Sequence, residues 1–437
     1  MANGRTLERG VGRLVDARPD EVRALLWSFA YFFCLLAGYY VLRPLRDEMG
    51  IAGGVRQLQW LFTATFVVML AAVPLYGAAV ARLPRRKFIP LVYHFLVVNI
   101  ALFWLLLTLD IGRVHVARTF FVWISVFNLF AVSVFWSFMA DLFRSEQGKR
   151  LFGFIAAGGS AGALLGPTLT VWLAGPLGPV NLLVVAAALL EAAVICAHRL
   201  ERAIPAPAAP AEKRPERALG GGWLAGIALL CRSPYLAGIA GWVFLLSLAG
   251  TFVYFQQAHI VAAASDDPAV RTRIFAAIDL VVAILTIAVQ CLATGRLIRR
   301  FGVGPAAAFL PLVFALGFAV LAAAPALAVV MAFQAIQRTA NFAVSNPARE
   351  ILFTVVAREE KYKAKNVIDT VVFRGADAVS GWLFATMRSG GLELATIALV
   401  TVPAALVWLG LSLALGRGQE RRTALSPSAS TTEETAP

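Results

Sequence analysis

Runs of about twenty apolar residues recur from one end of this chain to the other, and few folds admit them. The run from Ala24 to Leu42 contains no charged residue. In lipid, every backbone donor and acceptor must be satisfied within its own segment, so runs this apolar become helices. The expected fold is therefore an all-α polytopic membrane protein. Twelve spans are predicted, the first six near 24–42, 57–80, 88–109, 117–142, 151–174 and 180–198. The second six fall near 234–262, 274–297, 304–324, 326–347, 366–387 and 391–415. Of the 437 residues only 15% are charged, against about a quarter in a soluble domain.

Between the sixth and seventh runs lies "ERAIPAPAAPAEKRPERALGGG", a linker by composition. It divides the chain into a cytoplasmic amphipathic N-terminus (1–23), a first six-helix half (24–198), a cytoplasmic linker (199–222), a second half (223–416) and a disordered tail (417–437). Within 1–23, Leu7, Val11, Leu14 and Val15 form a weak apolar stripe that suits an interfacial helix rather than a targeting signal. "WLAGIALLCRSPYL" reads as a surface helix leading into the seventh span.

The net charge of +14 needs no nucleic acid. With the N-terminus in the cytoplasm, most Lys and Arg fall in cytoplasmic segments, as the positive-inside rule requires. Both termini are then cytoplasmic. The four cysteines and four histidines show no ligand spacing, so neither a metal nor a disulfide framework is expected.

The halves echo each other. "ARLPRRK" after the second span answers to "GRLIRRF" after the eighth, and "RSEQGKRLFGF" to "REEKYKAKNVID", each about 215 residues further on. Two parallel pseudo-symmetric halves joined by a long linker are the layout of an alternating-access transporter. The loop "GAAVARLPRRK" (Gly77 to Lys87) resembles the helix 2–3 signature of the major facilitator superfamily. It departs from that signature at Ala81 and Pro84. Gly153, Gly162, Gly166 and Pro167 keep the spacing of that superfamily's antiporter motif, whose physical content is close helix packing.

Ionisable residues inside spans are costly and therefore informative. The tenth span carries Gln334, Gln337, Arg338, Asn341 and Ser345 on one helical face. Such a stripe lines a wet cavity or ties Arg338 to a carboxylate. The eighth carries Asp279, Thr286 and Gln290; Asp279 either pairs with Arg338 or titrates. At the eleventh, Lys365 and Asp369 are four apart and Arg374 and Asp377 three apart, so each pair can neutralise along the helix.

Three stretches resemble the ATP/ADP translocase family, nucleotide exchangers of intracellular bacteria and plastids. "VLRPLRD" (Val41 to Asp47) is similar to that family's first-helix motif, with Arg46 where the family has a transport lysine and Pro44 as an insertion into the pattern. "KYKAKNVIDTVVFR" (Lys361 to Arg374) is similar to its late lysine-rich segment, placing Lys363, Lys365 and Asp369 on the motif. "FWSFMADLFRSEQGKRLFG" is similar to its helix 4–5 segment. Arginine's planar fork suits phosphate, so the resemblance implies a phosphate-bearing anion. Pro44 predicts a kink or a helix end at Arg43.

The expected protein is a transporter of a bacterial inner membrane that exchanges nucleotides or another phosphorylated anion. Arg43, Arg46, Arg338, Asn341, Lys363 and Lys365 would bind the anion; Asp47, Asp279, Asp369, Arg374 and Asp377 would couple or gate, and Asp47 and Glu48 would balance the motif's arginines when the anion is absent. The alternative is a proton-coupled carrier for an unrelated small molecule, with Asp279 or Asp377 titrating. Neither a serine–histidine arrangement nor H-E-x-x-H argues for an enzyme, and no cofactor is called for. Beyond the bilayer and the anion no partner is expected, and the chain is read as a monomer.

Overall fold

A computed structural model describes residues 18, 21–82, 85–143, 145–203 and 223–425. The expected N-terminal stripe, residues 204–222 of the linker and the chain beyond Leu425 lie outside the described residues, as do the side chains of the Gly77–Lys87 motif. Among the described residues every regular element is helical. The first six long helices are α1 (Val22–Ala52), α2 (Leu58–Arg82), α3 (Arg85–Thr108), α4 (Arg113–Leu142), α5 (Ser145–Leu173) and α6 (Leu182–Ala203). A short helix α7 (Trp223–Arg232) precedes α8 (Pro234–Ala264), α9 (Pro268–Phe301), α10 (Val303–Ala323) and α11 (Leu327–Val355). Then come α12, built of Arg358–Val367, Ile368–Val372 and Phe373–Ser389, and α13 (Leu394–Leu425).

Among the described residues eleven helices are long and apolar enough to cross a membrane. Besides the short α7, that leaves α12, which is helical throughout the expected span but carries Lys361, Lys363, Lys365, Asp369, Arg374 and Asp377. Two further differences concern helix ends. Pro44 neither ends nor interrupts α1, which runs on to Ala52. A proline removes one donor, and a long membrane helix tolerates that loss. α13 continues to Leu425, so residues 417–425 are helix rather than tail. Gln419 and Thr423 bond across one turn there, and the Arg422 guanidinium lies 4.6 Å from the Tyr235 ring centre.

The chain forms two compact units. One is Met1–Arg214 with Gln257–Ile284; the other is Pro215–Gln256 with Leu285–Pro437. Gln257–Ile284, the end of α8 and the start of α9, belongs with the first unit. Ion pairs from α1 to α9, described below, accompany that grouping.

Lipid tails are as apolar as leucine, so close packing rather than water exclusion holds such helices together. In the first unit α5 lies against α1 through glycines. A Cβ at Gly162 would collide with the Phe33 carbonyl and the Ala37 amide, and one at Gly166 with Tyr40 and the Ala37 carbonyl. Gly158 meets the Phe29 carbonyl in the same way, whereas Gly153 of the motif meets nothing. Phe32 stacks on Phe135 at 4.2 Å between ring centres. The buried Tyr31 hydroxyl donates to that of Tyr93 (2.8 Å), which donates to the Ala131 carbonyl (3.1 Å). At the start of α1, buried Glu21 receives the Gln147 amide (2.8 Å) and Arg150 (3.1 Å) from α5. Burial opposes its charge, but those bonds and the Arg18 backbone amide prevail and hold the carboxyl below its ordinary range.

In the second unit the Trp242 indole donates to Ser412 (2.9 Å), and α10 meets α13 backbone to backbone at Gly304 and Gly416. α7 lies on α12, with Gly226 against Val367 and the Lys363 carbonyl. Three helices of this unit contain a π turn: Gln290–Thr294 in α9, Asn341–Ser345 in α11 and Ile368–Val372 in α12. The first two are bonded together, with Thr294 donating to the Ala343 carbonyl (2.7 Å) and Gln290 to that of Phe342 (3.2 Å).

Candidate functional site

In the first unit the unbroken α1 presents Arg43 and Arg46 within its apolar length. The Arg43 guanidinium is 3.7 Å from Asp279 of α9 and 5.9 Å from the Tyr40 ring centre. Arg46 is 3.7 Å from Asp47 and lies 4.3 Å from the centre of the Phe121 ring, a cation–π contact. Both carboxylate distances exceed a hydrogen bond, so charge rather than bond geometry relates these partners. The neighbouring pair is different in kind. Arg271 gives Glu48 two parallel bonds of 2.7 and 2.8 Å, and Glu48 is 1% exposed. That fork is structural. The expectation that Glu48 balances the arginines of its own motif is corrected here, because its charge is consumed by Arg271.

In the second unit the polar stripe of α11 runs into a π turn at Asn341. Gln337 donates to Gln334 (2.7 Å). The side-chain amide oxygen Oδ1 of Asn341 and the hydroxyls of Thr286, Thr339 and Ser345 are buried without a hydrogen-bond partner. Such atoms are rare in a sealed core and suit a surface that meets a polar solute.

Lys365 and Asp369 do not neutralise one another. Lys365 bonds both oxygens of Glu350 (2.7 Å each), and Asp369 accepts from Arg349 (3.1 Å). Asp369 sits in the wide π turn, where i,i+4 register with Lys365 is lost, and the end of α11 supplies the partners instead. Lys363, two residues from Lys365, faces elsewhere. It bonds Glu359 (2.6 Å), holding that carboxyl below its ordinary range, and lines a cavity of about 360 Å³ with Arg232 of α7.

The Arg374–Asp377 pair forms, at 3.2 Å. Asp377 also touches two hydroxyls of α8, Ser247 (2.6 Å) and Thr251 (3.0 Å). The structure thus gathers Arg43, Arg46, Asp47 and Asp279 in one unit. In the other it gathers Lys365 and Asp369 with Arg349 and Glu350, Arg374 with Asp377, and Lys363 by itself. The sequence reading missed Arg271, Arg349, Glu350, Ser247 and Thr251. Two signals were present: continuing the stripe by four from Ser345 reaches Arg349, and Ser247 and Thr251 are four apart in an otherwise apolar run.

Residues 24–364 match the Major Facilitator Superfamily, and the chain belongs to that family. No characterised protein matches it closely enough in sequence to narrow this. Solved structures with the same fold include the nucleoside transporter NupG, at 14% identity and a TM-score of 0.63, covering 91% of this chain and 99% of its own. A bacterial homologue of the human lysosomal transporter Spinster, inward-facing and unoccupied, is 14% identical with a TM-score of 0.59, covering 93% and 99%. A bacterial homologue of the iron transporter ferroportin, also inward-facing, is 13% identical with a TM-score of 0.63, covering 91% and 98%. The protein is a multi-pass membrane transporter.

Proposed function

We propose that the protein exchanges phosphate-bearing anions, nucleotides foremost, across a bacterial inner membrane by alternating access, with both termini cytoplasmic. One observation carries this reading. Arg43 and Arg46 lie within a membrane-spanning helix, about a fifth exposed, with carboxylates at 3.7 Å rather than in a bidentate fork. Arg271 and Glu48, by contrast, make the fork that a purely structural pair makes. A guanidinium 3.7 Å from a carboxylate can trade it for phosphate oxygens, and the carboxylate balances it when the anion leaves. The resemblance of Val41–Asp47 and Lys361–Arg374 to ATP/ADP translocases supports the same substrate class. In the second unit Lys365, Arg338 and Asn341 are assigned to anion binding as well, Lys363 is turned toward α7 instead, and no catalytic activity is proposed.

The test is transport by the purified chain in liposomes preloaded with nucleotides. Labelled ATP or ADP should enter only when a nucleotide or another phosphate compound is inside. Arg46→Ala and Lys365→Ala should each lower the rate about tenfold or more, the loss of one charge-assisted contact, while the protein still folds. Normal rates in both variants would make the cluster structural. The partly buried Asp377 favours a second reading, a proton-coupled carrier of an unrelated small molecule. On that reading a pH gradient alone drives flux and phosphate compounds are ignored.

A further inference from the structure

We infer that Asp377 is a proton-binding site linked to anion binding through Arg374, so that each bound anion brings a proton with it. The inference rests on the anion reading above and adds a second ligand to it.

The Ser247 hydroxyl has a single hydrogen and two acceptors within reach, the Phe373 carbonyl at 3.0 Å and Asp377 Oδ1 at 2.6 Å. If Asp377 is ionised, Ser247 and Thr251 both donate to Oδ1, and Arg374 donates to Oδ2 at 3.2 Å. If Asp377 is protonated, the acid donates to Ser247, and Ser247 turns its own hydrogen to the Phe373 carbonyl. A separation of 2.6 Å fits either direction. The same heavy-atom positions therefore hold the carboxylate and the acid, with only hydrogens redistributed.

What decides between the two forms is Arg374. The groups facing the carboxylate from α8 are neutral hydroxyls, and α13 carries no charged residue between Leu394 and Leu415. Asp369, at the π turn before Arg374, is engaged by Arg349. Arg374 is thus the cation that keeps Asp377 ionised. Its side chain is 35% exposed, while that of Asp377 is 13%. An anion can reach the guanidinium, whereas the carboxylate stays enclosed. When an anion's oxygens draw Arg374 away, Asp377 keeps two hydroxyls and loses its counter-charge, and a buried carboxylate in that position takes a proton. Neither charge is then left bare: the anion covers Arg374 and the proton covers Asp377.

The experiment is calorimetric titration of the full-length, detergent-purified protein with ATP, in two buffers of different ionisation heat. The pH is kept above the range in which the nucleotide's own phosphate titrates. Wild type should take up close to one proton per ATP bound, and Asp377→Asn none. In wild type, affinity should fall about tenfold per pH unit once the pH exceeds the site's midpoint. Thr251→Val removes a donor to the carboxylate, so it should move that midpoint to higher pH. It serves as the probe if Asp377→Asn does not fold. ATP binding whose affinity ignores pH, or equal proton uptake by wild type and Asp377→Asn, overturns the linkage alone. Failure of ATP to bind at any pH overturns both the linkage and the nucleotide reading.

Discussion

Glu48 and Arg271 are separated by 223 residues and joined by two bonds. Removing one partner of a buried pair leaves a bare charge, at a cost of about 3–5 kcal/mol. Glu48→Gln should therefore lower the unfolding temperature of the detergent-purified protein clearly. Adding Arg271→Gln should restore part of the loss, and a double-mutant cycle measures the coupling. Simple additivity of the two changes would show that the fork does not stabilise the fold. At this scale the sequence was least legible. It offered Glu48 as a neighbour of arginines on its own motif, because local spacing is all that a single span displays. Its partner came from the start of α9, and nothing local points across that distance. Lys365 shows the same limit: Asp369 stood at the ideal spacing, yet Glu350 of another helix took the bond. By contrast Arg374 and Asp377, three apart on one regular helix, pair as their spacing allows.

Among elements, the α1–α5 seam was legible because glycine spacing carries a packing consequence wherever it falls. Gly162 lies where α5 touches the α1 backbone, and Gly153 lies beyond the contact. Gly162→Leu should force the two helices apart and destabilise the protein by about 1–3 kcal/mol, the usual cost of overpacking. Gly153→Ala, with open space around it, should be neutral or slightly stabilising. Thermal denaturation followed by tryptophan fluorescence separates the two, and equal effects would mean that the seam does not hold α1. The ends and interruptions of helices were harder to read. Pro44 carries a strong local signal for a break, yet the helix has neighbours along its length and continues. The π turns leave no clear residue signature; each arises where a helix accommodates one extra residue against its neighbours.

For the whole molecule, hydropathy placed the long helices, since lipid leaves the backbone little alternative. α12 was also placed, although its charges keep it from standing out as a membrane segment. The bias of Lys and Arg further predicts that both ends of the chain lie in the cytoplasm. A reporter active only in the cytoplasm, fused after Leu425, should work; one fused in the loop after Thr108 should not. The reverse pattern would invert every assignment of inside and outside made here.

The three π turns have a mechanical consequence. A regular α-helix behaves as a nearly inextensible strut, whose length and phase are set by its ladder of identical rungs. A π turn is a rung of different gauge, and moving it along the helix by one position re-phases the residues it passes without melting the helix. α9, α11 and α12 each carry such a splice, and two of the splices are bolted to each other through Thr294 and Gln290. Arg374 and Asp377 lie just past the third. The second unit thus has adjustable phase built into three of its struts, one of them just before Arg374 and Asp377.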